Sequence, residues 1–336
     1  MEYRSLGRTG VKVSPLCLGC MTFGTPDGKG TPDDEAMNII DKAIEAGINF
    51  LDTANVYSRG GSETLVGKAL GRNGKRNHIV LATKVHGHME DNNPNAWGNS
   101  RRHNLQQCDA SLRRLQTDWI DLYQIHRPLS SIPIDETLRA LDDLIRAGKI
   151  RYIGTSTYAA WQLVEALWIA KELGLNRFVC EQPPYHLLDR RIERELIPMA
   201  QTYGFGLIPW SPLAGGFLSG KYERGKTPTE GRWTGGQLAG RTFNDKAFEV
   251  IEALKPMAAE KKCTVSQLSL SWCMNQPAIT SPIIGPRTMQ QYEDNLGALN
   301  VTLSDDDRKK LDEIVPPGTH LLKYYDADFG PSKFQR

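Results

Sequence analysis

The chain has 336 residues and a mass of 37.5 kDa, enough to bury a substantial core as one large α/β domain or two ordinary ones. Its 41 basic residues nearly balance 39 acidic ones, leaving a formal charge of +2, which excludes the electrostatic footprint expected of a binder of nucleic acid or of an anionic membrane surface. No apolar run approaches the roughly 18 residues of a membrane span, and Met1-Glu2-Tyr3-Arg4-Ser5-Leu6 lacks the apolar region of a signal peptide. A cytoplasmic protein acting on a small molecule is expected, and the oligomeric state is not readable.

From the N-terminus, residues 3–6 and 11–13 read as two short strands around the turn Gly7-Arg8-Thr9-Gly10, a hairpin of the kind that plugs the bottom of a barrel. A strand at 15–19 follows. It carries Cys17 and leads into Cys20, a C-x-x-C in apolar surroundings that suits buried reduced thiols better than a metal or redox site. Thr31-Pro32-Asp33-Asp34-Glu35 then reads as a helix start, with Thr31 as cap, Pro32 at the first helical position and carboxylates in the first turn. Ala36, Ile39, Ile40, Ala43 and Ile44 supply the apolar face of that helix.

Beyond this point one unit recurs, an amphipathic helix that ends at a glycine and is followed by a short apolar strand. Gly47 precedes 48–52, Gly148 precedes 150–155, Gly174 precedes 178–181 and Gly204 precedes 205–210. Each glycine suits the left-handed position that closes a helix, and strands this apolar are buried on both faces, as in a parallel sheet. Strands at 79–84, 120–126 and 282–285 complete a set of about eight with helices between them. The predicted fold is an α/β (β/α)₈ barrel, one domain over 1–336, with an N-terminal β-hairpin. Long irregular stretches at 85–102 and 211–244 follow the third and seventh strands, and the segment 316–336 is a candidate cover for the rim. A dinucleotide fold of the G-x-G-x-x-G type is disfavoured, because Gly19-Cys20-Met21-Thr22-Phe23-Gly24 lacks that spacing.

In such a barrel the carboxyl ends of the strands share one face. Strand two delivers Asp52 and then Tyr57, strand three Lys84 and strand four His126, which brings an acid, a phenol, an amine and an imidazole to one rim. A phenol ionises near pH 10 and is a poor acid at neutral pH unless a cation stabilises its phenolate. Lys84 is that cation, Asp52 its counter-charge, and His126 a group to orient a carbonyl or share the proton. The set suits protonation of an oxygen that receives negative charge, as in carbonyl reduction by hydride. On the neighbouring strands, Ser156 and Gln182 could hydrogen-bond a carboxamide while a ring near the end of strand seven stacks on a nicotinamide. Residues 214–222 nearly spell a P-loop, yet Tyr222 stands where Ser or Thr would hold magnesium, which leaves a glycine loop with Lys221 suited to a pyrophosphate. Arg287, where a helix opens after strand eight, is placed for a 2′-phosphate and so for NADPH over NADH.

Several motifs together make the chain resemble the aldo-keto reductases over essentially its whole length. They are Leu51-Asp52-Thr53-Ala54 with Tyr57, Ala82-Thr83-Lys84, Tyr123-Gln124-Ile125-His126, Gly154-Thr155-Ser156, Gln182-Pro183-Pro184-Tyr185, Pro209-Trp210-Ser211-Pro212-Leu213 and Glu293-Asp294-Asn295-Leu296. The resemblance implies an NADP(H)-dependent carbonyl reductase with Tyr57 as proton donor supported by Lys84, Asp52 and His126. It implies cofactor contacts from Cys20, Met21, Asp52, Ser156 and Gln182, and from Trp210, Ser211, Pro212, Leu213, Gly215, Leu218, Gly220 and Lys221. Gly285, Arg287, Gln291, Asp294 and Asn295 complete that set at the adenosine end. Phe23, Tyr57, Trp97 and His126 are the expected substrate wall, with Trp233, Tyr324 and Tyr325 as further candidates. The chain departs from the family at Ser58, where Gly is common, at Thr157, where many members have Asn, and at His186, where Asn is frequent. Two alternatives stay open: a cofactor-bound regulatory subunit like the potassium-channel beta subunits, and a metal-dependent hydrolase using His86, His88, His103 and His126, although the first two fall in a loop where zinc ligands are poorly anchored.

Overall fold

Short strands with a period of two sort side chains to two sides of a sheet, and a closed sheet turns those sides into an inside and an outside. The computed structural model describes residues 1–25, 30–226 and 245–321. The hairpin strands β1 (Arg4–Ser5) and β2 (Lys12–Val13) pair antiparallel, with Arg4 opposite Val13. The eight parallel strands are β3 (Cys17–Gly19), β4 (Phe50–Asp52), β5 (Val80–Val85), β6 (Ile120–Ile125), β7 (Ile150–Ser156), β8 (Cys180–Gln182), β9 (Gly206–Leu207) and β10 (Ile283–Ile284). They pair in chain order, with β10 returning to β3. Across the remaining edge the Ile283 N–H donates to the Pro209 carbonyl at 2.8 Å, so the sheet curls on itself as a (β/α)₈ barrel.

Helices fill the crossovers: α1 (Asp33–Glu45), α2 (Gly61–Asn73), α3 (Arg101–Leu115), α4 (Ile134–Arg146), α5 (Ala160–Glu172) and α6 (Leu196–Tyr203) follow β3 to β8 in turn. After β9 come α7 (Asp245–Glu260) and α8 (Val265–Met274), and after β10 come α9 (Met289–Gly297) and α10 (Asp305–Ile314). Gly47, Gly148, Gly174 and Gly204 all adopt φ between +64° and +94°, as expected of helix-closing glycines. The start of α1 differs from expectation. Pro32 itself is the extended N-cap residue (φ −54°, ψ 143°), and Thr31 spends its N–H on the Thr22 carbonyl at 3.0 Å, so the helix opens one residue late with no side-chain cap. No helix among the described residues is long and apolar enough to cross a membrane.

Alternation divides the core. Leu51, Leu81, Tyr123 and Ile125 face outward into the layer between sheet and helices, whereas Cys17, Phe50, Ala82, Leu122, Cys180 and Ile208 point inward at the amino-terminal end of the barrel. Leu6 and Val13 of the hairpin join this inner cluster and are fully buried, closing the bottom. Gly7 makes the closure possible: its φ is +56°, and a Cβ there would stand 2.5 Å from the Val179 carbonyl oxygen. The hairpin thus lies opposite the carboxyl ends of the strands. The segment 316–336 and residues 227–244, expected at that rim, lie mostly or wholly outside the described residues, as do Trp233, Tyr324 and Tyr325.

Candidate active site

One step up each strand from the apolar layer, the same inward positions become polar. Asp52 follows Phe50, Lys84 follows Ala82, Gln124 follows Leu122 and Gln182 follows Cys180. These four side chains are at most 2% exposed, so each polar atom must be satisfied within the protein. The Lys84 ammonium spends its three protons on Asp52 Oδ1 (2.5 Å), the Thr53 carbonyl (2.8 Å) and Tyr57 Oη (3.1 Å). Burial opposes the charge on Lys84, but the Asp52 carboxylate and Tyr57 Oη outweigh it and hold its pKa above the ordinary lysine value. The second oxygen of Asp52 accepts from Gln124 Nε2 and from Gln182 Nε2, each at 3.0 Å, and Gln182 Nε2 also lies 3.1 Å from Gln124 Oε1.

Tyr57 opens a short 3₁₀ turn, Tyr57–Gly60, and its ring meets that of His126 edge to face, with centroids 5.6 Å apart. His126 sits just past β6, partly exposed, with its N–H on the Val85 carbonyl. Desolvation, with the nearby charges of Lys84 and Arg127, holds its pKa well below the ordinary histidine value, so it is neutral at neutral pH. Asp52, Tyr57, Lys84 and His126 thus meet at one end of the barrel. Gln124 was missed by a reading that took only the last residue of each strand. Its signal was an amide flanked by Tyr123 and Ile125 in a strand buried on both faces.

Backbone strain gathers at the same rim. Ser58 (φ 49°), Arg59 (φ 50°), Thr157 (φ 64°), Ser211 (φ 54°) and Ala214 (φ 49°) are left-handed without being glycine. Two of the three departures noted in the sequence, Ser58 and Thr157, fall on such positions, where the more usual Gly and Asn are the low-strain residues.

The residues expected to hold a cofactor lie in the loops that follow the same strand ends. Trp210 presents a partly exposed ring beyond β9. The turn Ala214–Ser219 has left-handed Gly215 and Gly216, and a Cβ on Gly216 would stand 3.5 Å from the Lys221 ammonium, so the loop brings open backbone and a cation together. Nothing lies within 4 Å of where a Cβ on Gly285 would be, and Arg287 is exposed just before α9, whose Thr288 cap accepts from the Gln291 N–H. Met21 is exposed nearby in sequence to the buried Cys20, and Pro212 and Leu218 are buried beneath the loop that also carries Leu213 and Gly220.

Three of the expected groups have partners within the protein itself. Gln182 is turned into the barrel onto Asp52, and the Ser156 hydroxyl donates to the Gln182 carbonyl at 2.9 Å, so this pair is held by the protein itself. Asp294 Oδ1 accepts from Thr264 Oγ1 and Gln267 Nε2 at the start of α8, which ties α9 to α8, and Asn295 beside it is 6% exposed. Phe23 is fully buried in the outer core, because the loop after β3 folds back with its N–H on the Cys20 carbonyl; it does not line an open wall. Trp97, in the stretch between β5 and α3, stacks on His88 and meets His86 edge-on. Among the described residues no group of three or more His, Cys, Asp or Glu is placed to share a metal ion.

Residues 15–316 match the Aldo/keto reductase family. The chain is 37% identical over 335 residues to an uncharacterized oxidoreductase of Bacillus subtilis, covering 97% of this chain and 99% of that one. It is 38% identical over 308 residues to a probable voltage-gated potassium channel subunit beta of Oryza sativa, covering 90% and 92%. It is 36% identical over 343 residues to the versiconal hemiacetal acetate reductase of Aspergillus parasiticus, covering 95% and 99%.

Proposed function

The chain belongs to the aldo/keto reductase family, and from that premise we propose that it reduces an aldehyde or ketone to the alcohol with NADPH, Tyr57 acting as general acid. The observation that carries the reading is the buried Lys84 ammonium, 2.5 Å from Asp52 Oδ1 and 3.1 Å from Tyr57 Oη. A bound reduced nicotinamide supplies the hydride to the carbonyl carbon.

The chain's own residues handle the charge that then develops. As the carbonyl π pair moves onto oxygen, the Tyr57 O–H bond breaks and its proton passes to that oxygen. The phenolate left behind faces the Lys84 ammonium, which Asp52 keeps charged, so the negative charge is met by a cation already in place and already desolvated. Neutral His126 hydrogen-bonds the same carbonyl oxygen in this reading, and solvent returns the tyrosyl proton. Trp210, Ser156, the loop with Gly215, Gly220 and Lys221, and Arg287 with Gln291 are the residues proposed to hold the cofactor from nicotinamide to adenosine, Arg287 favouring the 2′-phosphate.

A second reading has its own support, because relatives of rice, Arabidopsis thaliana and Schizosaccharomyces pombe carry the name potassium channel subunit beta. Turnover separates the two. A panel of aldehydes, ketones and sugars with NADPH and NADH, followed at the absorbance of the reduced cofactor, should show oxidation of NADPH by at least one substrate class; tight NADPH binding without turnover on any of them would favour the regulatory role.

A further inference from the structure

We infer that Gln124 is a positioning residue for the proton transfer, an amide bridge that holds the Asp52 carboxylate on Lys84 when Gln182 turns toward a bound cofactor. This rests on the reductase reading above.

Gln124 is wholly buried, and its two amide ends have opposite partners: Nε2 donates to Asp52 Oδ2 and Oε1 accepts from Gln182 Nε2. The carboxylate fixes which way round the amide sits, because the reverse orientation would set Oε1 against Oδ2. Room for the amide is built into the neighbouring strand. Gln124 pairs with Gly154 on β7, where a Cβ would stand 3.3 Å from Gln124 Cγ and 2.6 Å from Cys180 Sγ. A barrel interior filled by aliphatic side chains would be the simpler solution at this depth, as it is one layer down at Leu122. An amide here is warranted by what it holds.

For Gln182 Nε2 a bound cofactor would offer a second acceptor, whereas Gln124 Nε2 has Asp52 Oδ2 alone. Gln182 is at the carboxyl end of β8, beside Ser156, where the carboxamide of a nicotinamide is proposed to lie. If its Nε2 leaves Asp52 for that carboxamide, Asp52 Oδ2 keeps a single donor, Gln124. That donor then fixes the rotation of the carboxylate, and so keeps Oδ1 on the ammonium and the ammonium on Tyr57 Oη. Gln124 touches neither substrate nor cofactor; it acts through Asp52 and Lys84.

The test uses the full chain with a substrate the wild type turns over. Gln124→Leu leaves an apolar side chain one atom shorter and removes both hydrogen bonds. Its kcat should fall about tenfold to a hundredfold, the worth of one hydrogen bond to a charged group, while Kd for NADPH, read by fluorescence quenching, stays within about threefold. Gln124→Glu adds a readout that a packing role would not move. At pH 5.5 its protonated carboxyl donates to Asp52 Oδ2 and should keep kcat close to wild type; by pH 8.5 it loses that proton, and kcat relative to wild type should drop by about tenfold or more. Should Gln124→Leu fail to fold, the Gln124→Glu profile alone decides. A Gln124→Leu kcat within about twofold of an active wild type, or a Gln124→Glu ratio that does not change with pH, overturns the role of Gln124 and leaves the reductase reading intact. A wild type that turns over nothing in the panel overturns both.

Discussion

Replacing Asp52 with Asn removes one charge from a site where all polar partners are fixed. Lys84 is fully buried and Asp52 is 2% exposed, with Nζ and Oδ1 2.5 Å apart. At an effective dielectric of about 20 their attraction is about 7 kcal/mol. Hydration of both groups in the unfolded chain offsets part of it, so the expected loss of stability is about 3–5 kcal/mol. The amide also has no satisfactory orientation, since Oδ1 faces the ammonium and Oδ2 faces the Nε2 groups of Gln124 and Gln182; its NH₂ must meet a donor either way. The effect has a pH signature. Burial lowers the Lys84 pKa, and Asp52 with Tyr57 reverses this and raises it above 10.5. A raised folded-state pKa gives stability that is present in full below the unfolded value and is lost as pH rises beyond it. In Asp52→Asn the burial is uncompensated, the folded pKa falls below 10.5, and stability instead rises with pH up to that value. Urea unfolding of both proteins should therefore show the largest gap near pH 7 and a clearly smaller one near pH 10, with kcat down by about 10²–10⁴. A gap below about 1 kcal/mol that is flat with pH would refute the argument that Asp52 keeps Lys84 charged.

Arg287→Ala should raise KM for NADPH far more than for NADH in initial-rate assays; an equal effect on both removes the 2′-phosphate role. Glu181, fully buried, has its pKa pushed up to about 8, mainly by desolvation, against hydrogen bonds from Thr155 and the Tyr158 N–H. Its stabilising contribution is complete below its unfolded value and is lost as pH rises through 8, by at most about 1.4 kcal/mol per pH unit. Glu181→Gln should flatten stability against pH across that window, and a variant as pH-dependent as the wild type would contradict the assignment. Ser58→Gly and Thr157→Asn relieve left-handed backbone and should each stabilise the protein by about 0.5–1 kcal/mol in denaturant titrations; a loss of stability at both would mean that the strain is offset locally.

The parts of this molecule that were legible in the sequence are those where one residue type answers one physical demand. Gly47, Gly148, Gly174 and Gly204 marked helix ends because a left-handed closing residue is cheapest as glycine; the strands after the first three lie within about two residues of their expected bounds, and the one after Gly204 ends three residues early, at Leu207. Asp52, Lys84 and His126 were legible as polar residues at strand ends, and Tyr57 by its place in the loop that follows. What stayed hidden depends on neighbours far away in the chain. Whether Gln182 faces a groove or Asp52 depends on the stagger between β8 and β4, 130 residues apart. Whether Phe23 lines a wall or the core depends on how the loop after β3 folds back. That Asp294 also anchors the Thr264 cap, a pairing across 30 residues, could not be read from either segment alone. Pro32 took the N-cap position itself, since the extended backbone at this proline leaves Thr31 outside the helix.

The most direct measurement of the central claim is the turnover of Tyr57→Phe beside its affinity for NADPH. With a reactive aldehyde, kcat should fall by about 10²–10⁴ while Kd for NADPH stays within about twofold, because the phenyl ring keeps its place over Lys84 and against His126 and loses only the transferable proton. A variant that keeps more than about a tenth of wild-type turnover, or that loses activity only in step with cofactor affinity, would show that the proton comes from elsewhere.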